Sequence, residues 1–350
     1  MKEIGVILNP NSRKNRHRDP DRAEKLQRIV GARGMVRETR QLDELPRTLG
    51  DMLGREKLGY LVADGGDGSL HWVMNESRQV LSGSGRDPDS LPPLVPTNGG
   101  TIDFVARKMG IKGSSEQILL RLTRELDAGR IPPLATLDTL ELSGTRRDAD
   151  GTLRPFERLG FALAAGGIGQ RFFDKYYQEQ ELGAGAILRV VGRAVGSHLA
   201  GRAHLPLPAG MLRYGREVFR PTPARVVIDG RELECREHGA IHAGAFDITL
   251  AGVFRVFPLA SEAGALHFQA GGIVPSEMIR ALPDLYRGRA IKSRHLTEVR
   301  GQEMHIESLG GELLGPVIDG ELFGGIVELT VRRGPAVRVP RLFSATPAHS

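Results

Sequence analysis

The segment YLVADGGDGSLHWVMN constrains this chain more than any other. An apolar run stops at Gly65, Gly66, Asp67, Gly68 and Ser69, and a helical pattern follows from about Ser69 to Leu81. A strand that breaks into glycines and then enters a helix lets backbone N–H groups approach a polyphosphate, and the helix N-terminus adds a favourable dipole. Asp67 is the odd member of the loop. A carboxylate beside phosphates is repulsive unless it binds Mg²⁺ or accepts a proton from an attacking hydroxyl. The simpler alternative is a glycine-rich turn with Asp67 as an N-cap.

Around this segment the first third of the chain alternates short apolar runs with helical periodicity. Ile4–Leu8, Met35–Arg40, Tyr60–Ala63 and Leu94–Thr97 read as strands. Arg22–Val30, Leu42–Leu53, Ile102–Lys108 and Ser115–Ala128 read as helices. This βαβαβ rhythm specifies a parallel sheet covered by helices, with ligands at the carboxyl ends of its strands. At 350 residues the chain exceeds one ordinary core, so two domains are expected. GRIPPLATLD reads as the crossing between them. From about Thr136 the pattern changes to alternating runs joined by Asp-Gly and Gly-Gly turns, the signature of an antiparallel sandwich. A helical stretch, Gln170–Ala200, interrupts it. The expected division is an α/β nucleotide-binding domain over 1–134, a β-sandwich substrate domain over 135–330, and a loose tail over 331–350.

Two further segments bear on chemistry. LVPTNGGTIDFVARKMG repeats the strand, glycine and helix order, with Gly99, Gly100 and Thr101 followed by the carboxylate of Asp103. PVIDGELFGG sets Asp319 and Glu321 two residues apart. On one strand these two would share a face and could meet one metal or one hydroxyl. The alternative is an exposed hairpin turn, of which Asp229-Gly230-Arg231-Glu232 is a look-alike in the same chain.

Taken in order, NPNSRKNR, GGDGSLHWVMN, PTNGGTIDFVAR and IDGE resemble the diacylglycerol kinase catalytic family, which includes bacterial lipid kinases and sphingosine and ceramide kinases. The resemblance runs from Asn9 to Gly325. It implies an N-terminal α/β domain related to those of NAD kinase and phosphofructokinase, a C-terminal β-sandwich, and ATP with Mg²⁺ in the cleft between them. By the same resemblance Asn9, Pro10, Ser12 and Arg13 form a first nucleotide loop, Gly65, Gly66, Gly68 and Ser69 the phosphate loop, and Thr97, Asn98, Gly100 and Thr101 a second loop. Asp319 is then the candidate general base with Asp67 its rival, Glu321 serves base and metal alike, and Asp103 is a metal ligand. The chain departs from the family pattern at Arg13, Ser69, His71, Trp72 and Asp103. Two alternatives stay in view: an NAD kinase-like enzyme acting on a soluble hydroxyl, which would share the two-loop nucleotide site, and a degenerate nucleotide or lipid sensor, which the altered residues at His71, Trp72 and Asp103 allow.

Composition narrows the partners. A net charge of +6 favours anionic ones. Aromatic residues at 5%, with no basic-aromatic stacking pattern, argue against nucleic acid. The single cysteine, Cys235, excludes an intrachain disulfide and a four-cysteine zinc site. The ten histidines lack metal-site spacing, and no GxSxG nucleophile turn occurs. The polar N-terminus and the lack of about 20 consecutive apolar residues point to a cytoplasmic protein in peripheral contact with the membrane. Arg189–Arg220 holds many arginines among Leu, Val and Ala, with Glu217 the only acid. It is either a solvated helix face or a ramp toward anionic lipid headgroups. The partners expected are thus a lipid substrate at the inner membrane surface and anionic headgroups, with a homodimer allowed.

Overall fold

The computed structural model describes residues 3–16, 21–205, 208–250 and 254–343. They form two compact units. One is Asp138–Gly334; the other takes the chain up to Leu137 and again from Pro335.

In the first unit the order is β1 (Glu3–Leu8), α1 (Arg13–Arg16), α2 (Arg22–Val30), β2 (Gly34–Glu38), α3 (Leu45–Leu53), β3 (Leu58–Asp64), α4 (Asp67–Gly83), β4 (Leu94–Pro96), α5 (Phe104–Lys108) and α6 (Ser115–Asp127). The four strands are parallel in the order β2-β1-β3-β4, with Val6 opposite Val36 and Val62, and Ala63 opposite Pro96. Because β2 and β3 flank β1 on opposite sides, the chain reverses its direction of travel across the sheet there, which makes the carboxyl edge between β1 and β3 a topological switch point. The strands are apolar on both faces, with Ile4, Val6, Leu61 and Val62 fully buried, as a helix-covered parallel sheet requires. Helix α3 buries Leu45, Leu49, Met52 and Leu53 at helical spacing. Helix α6 opens on a capping box in which Ser114 Oγ accepts from Gln117 N and Gln117 Oε1 accepts from Ser114 N.

The second unit contains β5 (Leu134–Arg147), whose first residues belong to the first unit, then β6 (Leu153–Gly160), β7 (Ala162–Gly167), α7 (Ile168–Tyr176), α8 (Ala184–Arg202) and α9 (Ala209–Val218). There follow β8 (Thr222–Ile228), β9 (Arg231–Glu232), β10 (Glu237–His238), β11 (Ala240–Gly244), β12 (Ile248–Leu250), β13 (Phe254–Val256), β14 (Leu266–Gly271) and α10 (Pro275–Arg287). The unit closes with β15 (Leu296–Gly301), β16 (Glu303–Ser308), β17 (Val317–Ile318), β18 (Glu321–Leu322) and β19 (Ile326–Pro340). One sheet runs β10-β8-β16-β19-β5-β6 with β9 paired to β8; the other runs β15-β14-β11-β7-β17-β18. Antiparallel ladders join β8 to β16, β16 to β19, β11 to β7 and β14, and β14 to β15. Strand β8 alternates strictly between buried and half-buried residues, so its inner face is Thr222, Ala224, Val226 and Ile228.

Two expectations change. Residues 331–340, expected as a loose tail, complete the 15-residue strand β19, and Arg338 Nη2 beyond Gly334 donates to Leu91 O in the first unit. Only 344–350 of that segment lie outside the described residues. The reason is cross-strand pairing: Leu329 and Val331, and again Val337 and Val339, are buried two residues apart, a spacing that helical periodicity does not register. Helix α10 was also not foreseen; it carries Pro283 in its interior and buries Met278 and Ala281 against Ala240, Ile273, Ile291 and Leu296.

Candidate active site

Three loops at the carboxyl edge of the parallel sheet are tied to one another by named bonds. After β1, Asn9 N donates to Asp64 O (3.1 Å) and Asn9 Nδ2 to Ser69 Oγ (2.8 Å), which fastens the first loop to the glycine loop. Asn11 N donates to Asn9 Oδ1 in an Asx turn, and Asn15 Nδ2 reaches Asn9 O (2.9 Å) and Asp64 O (3.2 Å). Lys14 N donates to Gly99 O (3.0 Å), and Gly99 N donates to Gly65 O (2.9 Å), so all three loops share one backbone network.

Between the glycine loop and the second loop the contact is backbone on backbone. A Cβ on Gly66 would lie 2.7 Å from Gly100 Cα, one on Gly100 would lie 2.5 Å from Gly66 Cα, and one on Gly99 would lie 2.7 Å from Gly65 Cα. None of these glycines has a positive φ. Their missing side chains therefore serve close approach of the two loops to each other, where the sequence reading had assigned them only to approach of a phosphate.

The carboxylates are engaged as well. Asp67 Oδ2 and Oδ1 accept from Phe104 N (3.1 Å) and Val105 N (3.2 Å), so Asp67 caps α5. Asp103, expected inside a helix from Ile102, stands before α5 in the left-handed region at φ 51°. It is 2% exposed, accepts from Gly100 N (2.8 Å) through Oδ1, and holds Lys14 Nζ (2.8 Å) through Oδ2. Lys14 Nζ also donates to Asn98 O (2.6 Å), yet its side chain remains 42% exposed and its charge faces solvent. Sequence reasoning singled out Arg13, which is exposed, and passed over Lys14 one residue on in the same basic run. Ser12 is nine-tenths buried, and its Oγ, like Asn15 Oδ1, has no hydrogen-bond partner among the described residues. Such an orphaned hydroxyl is costly unless something else bonds it.

Beneath the loops lies a polar hub with no counterpart in the sequence reading. Asp64, fully buried at the end of β3, receives Arg22 through Nε (3.1 Å) and Nη2 (2.9 Å), together with Thr97 Oγ1 and Ser115 Oγ. Arg22 Nη1 continues to Glu116 (2.7 Å). Thr97 Oγ1 also accepts from Gly65 N (3.1 Å), and Asn98 Nδ2 donates to Ile111 O and Gly113 O. Both expected binding residues thus brace the loops through their side chains. Pro10, Gly68 and Thr101 lie half-buried in the same three loops. His71 is wholly buried on α4 with its ring edge-on to Trp72, so this departure from the family pattern is turned into the core.

Asp319 and Glu321 belong to the second unit. They do not share a strand face. Asp319 (φ 52°) and Gly320 (φ 88°) form the two-residue turn between β17 and β18, with Ile318 paired to Glu321. Asp319 Oδ1 accepts from Phe161 N (2.8 Å) and Ala162 N (2.9 Å), and Asp319 N donates to Ala162 O. The look-alike has the same construction. Asp229 (φ 48°) and Gly230 (φ 77°) turn between β8 and β9, Asp229 Oδ1 accepts from Gln302 N and Glu303 N (2.8 Å each), and Asp229 N donates to Glu303 O.

Among the described residues no group of three or more His, Cys, Asp or Glu is arranged to hold a metal. The loop carboxylates are already engaged, since Asp103 holds an ammonium and Asp67 two amides. Nor is any helix among the described residues long and apolar enough to cross a membrane.

This arrangement defines a parallel α/β unit followed by antiparallel sheets. Residues 3–131 match the family model of the diacylglycerol kinase catalytic domain. Two structures from Bacillus anthracis str. Sterne resemble it over their whole length. The crystal structure of a "putative diacylglycerol kinase" has a TM-score of 0.61 at 13% identity, covering 97% of this chain and 96% of that one. A second diacylglycerol kinase structure has a TM-score of 0.55 at 12% identity over the same shares. At these identities the likeness is one of fold. No curated protein matches the chain by sequence.

Proposed function

We propose that the protein is an ATP-dependent lipid kinase that transfers the terminal phosphate to a lipid hydroxyl of diacylglycerol or sphingoid type. The observation that carries the nucleotide half is the meeting of the three loops with the buried, unpartnered Ser12 Oγ and the exposed ammonium of Lys14. A phosphate oxygen would satisfy the hydroxyl, while Lys14 and Arg13 would neutralise charge and α4 would present its N-terminal turn. Mg²⁺ would arrive on the nucleotide, supported more by phosphate oxygens than by carboxylates, and would supply charge neutralisation. The lipid half rests on the match to the diacylglycerol kinase domain.

For the general base the geometry favours Asp67 over Asp319. Asp67 stands in the phosphate loop itself and is half-buried. Both carboxylates accept from two backbone amides, but Asp319 is 4% exposed and is duplicated in a plain hairpin by Asp229. Labelled ATP with Mg²⁺ and a panel of diacylglycerol, sphingoid base, ceramide and NAD tests the reading. Label in a lipid supports it, label only in NAD replaces it with a soluble-hydroxyl kinase, and ATP binding without transfer makes the chain a sensor. Asp67→Asn should lower kcat by roughly 10²-fold or more with nucleotide binding nearly intact. An active Asp67→Asn beside a dead Asp319→Asn would return the role to Asp319 and Glu321.

A further inference from the structure

Helix α8 is apolar on two opposite sides. Its inner side is Ala186, Ile187, Val190, Ala194, Ser197 and Ala200, all buried. On the outer side Leu188, Gly192, Val195 and Leu199 recur at i, i+4, i+7 and i+11, and Leu188 and Leu199 are 49% and 52% exposed. A surface helix ordinarily turns polar residues outward, and one that is apolar all round calls for a second apolar partner. Helix α9 packs closely on α8, since Gly215 N donates to Ser197 Oγ (2.8 Å) and a Cβ on Gly215 would stand 3.1 Å from Ala194 O. It adds Met211, 55% exposed.

The charges around these apolar groups divide into two sets. Arg189 and Arg193 are paired to Glu179, and Arg220 to Glu312. Arg202, Arg213 and Arg216 are exposed and make no salt bridge among the described residues. Arg213 lies in the field of Glu217, whose carboxylate is itself paired to Lys175. Exposed leucines and a methionine together with exposed arginines outside any salt bridge suit a surface that is anionic outside and hydrocarbon beneath. A soluble acidic protein would satisfy the arginines alone.

We infer that the outer face of α8 and α9 docks the protein on an anionic bilayer, with Leu188, Leu199 and Met211 entering the acyl boundary and Arg202, Arg213 and Arg216 meeting headgroup phosphates. This rests on the reading of the acceptor as a bilayer lipid, and binding measured without ATP on vesicles that contain no acceptor keeps the two questions apart. Co-sedimentation with phosphatidylcholine vesicles, with and without phosphatidylserine, at low and high salt, should show binding only to the anionic vesicles and loss of it in salt. Changing all three arginines to Ala should weaken that binding by about 100-fold. Leu199→Glu combined with Met211→Glu should weaken it by about tenfold or more. All five positions are exposed, so the thermal melts should stay at the wild-type value. Equal binding to neutral and anionic vesicles, or binding to neither, overturns the inference. A concentration-dependent dimer in buffer that Leu199→Glu disperses also overturns it, because a second copy then covers the face. Vesicle binding with no lipid phosphorylation would sustain the docking surface and sink the lipid-kinase reading alone.

Discussion

Gly100→Ala tests the architecture of the site most directly. The added Cβ falls 2.5 Å from Gly66 Cα and 2.7 Å from Asp103 Oδ1. Ordinary carbon contacts begin near 3.5 Å, so the loops must part by about 1 Å. No rotamer change relieves this, because the first obstacle is backbone. Overpacking of this kind costs about 1–3 kcal/mol. The same Cβ pushes Asp103 off Gly100 N and so loosens its hold on Lys14. Urea titration should show the stability loss, with Tm falling by about 3–10 °C. Binding of a fluorescent ATP analogue should weaken roughly tenfold or more, because the orphaned Ser12 and the Lys14 ammonium no longer face one ligand. Gly66→Ala, whose Cβ meets Gly100 Cα at 2.7 Å, should behave alike. Gly50→Ala is the control: its Cβ meets nothing within 4 Å on α3, so it should stabilise by about 0.5–1 kcal/mol with ATP affinity unchanged. A Gly100→Ala protein with wild-type melting would refute the loop-on-loop packing; one that is destabilised yet binds ATP normally would refute the phosphate cradle.

Arg22→Ala leaves Asp64 fully buried beside Thr97 and Ser115 without its cation, so chemical unfolding should show a loss of about 3–5 kcal/mol. Lys14→Ala should weaken ATP binding in calorimetry and flatten its salt dependence, and it should also lower Tm, because it leaves the buried Asp103 carboxylate without its cation. His238 is buried with its Nε2 on Ala224 O, and burial pushes its pKa down to about 4. The unfolded chain therefore binds more protons between pH 6.5 and 4, and stability present at neutral pH is lost as pH falls through that window, by up to about 3 kcal/mol. Melts of His238→Gln should flatten that slope. Asp319→Asn keeps a left-handed residue and an acceptor for Phe161 N and Ala162 N, so its stability should change by less than about 1 kcal/mol, whereas Asp319→Ala should lose about 1–3 kcal/mol.

The sequence by itself determined the parallel α/β unit, its glycine loops and the switch to antiparallel sheets, because those are local signals. An apolar run ending at Gly65 or Gly99 states a strand, a turn and a helix within some fifteen residues, and hydrophobic periodicity carries the rest. It also held both readings of Asp319-Gly320, since Asp-Gly between apolar runs is a hairpin signal wherever it occurs. Only the tertiary structure decided which partners distant residues find. That Gly66 and Gly100 need each other's missing side chains, that Lys14 closes on Asp103, and that Asp64 gathers Arg22, Thr97 and Ser115 are contacts across 33 to 89 positions of chain. No local pattern encodes them. The arginines from Arg189 to Arg220 make the same point: all are alike in sequence, and the fold alone separates those paired to Glu179 and Glu312 from Arg202, Arg213 and Arg216, which form no salt bridge among the described residues. Strand β19 was missed for a related reason, because its order comes from ladder bonds to β16, and a strand's partners lie outside any window that periodicity can read.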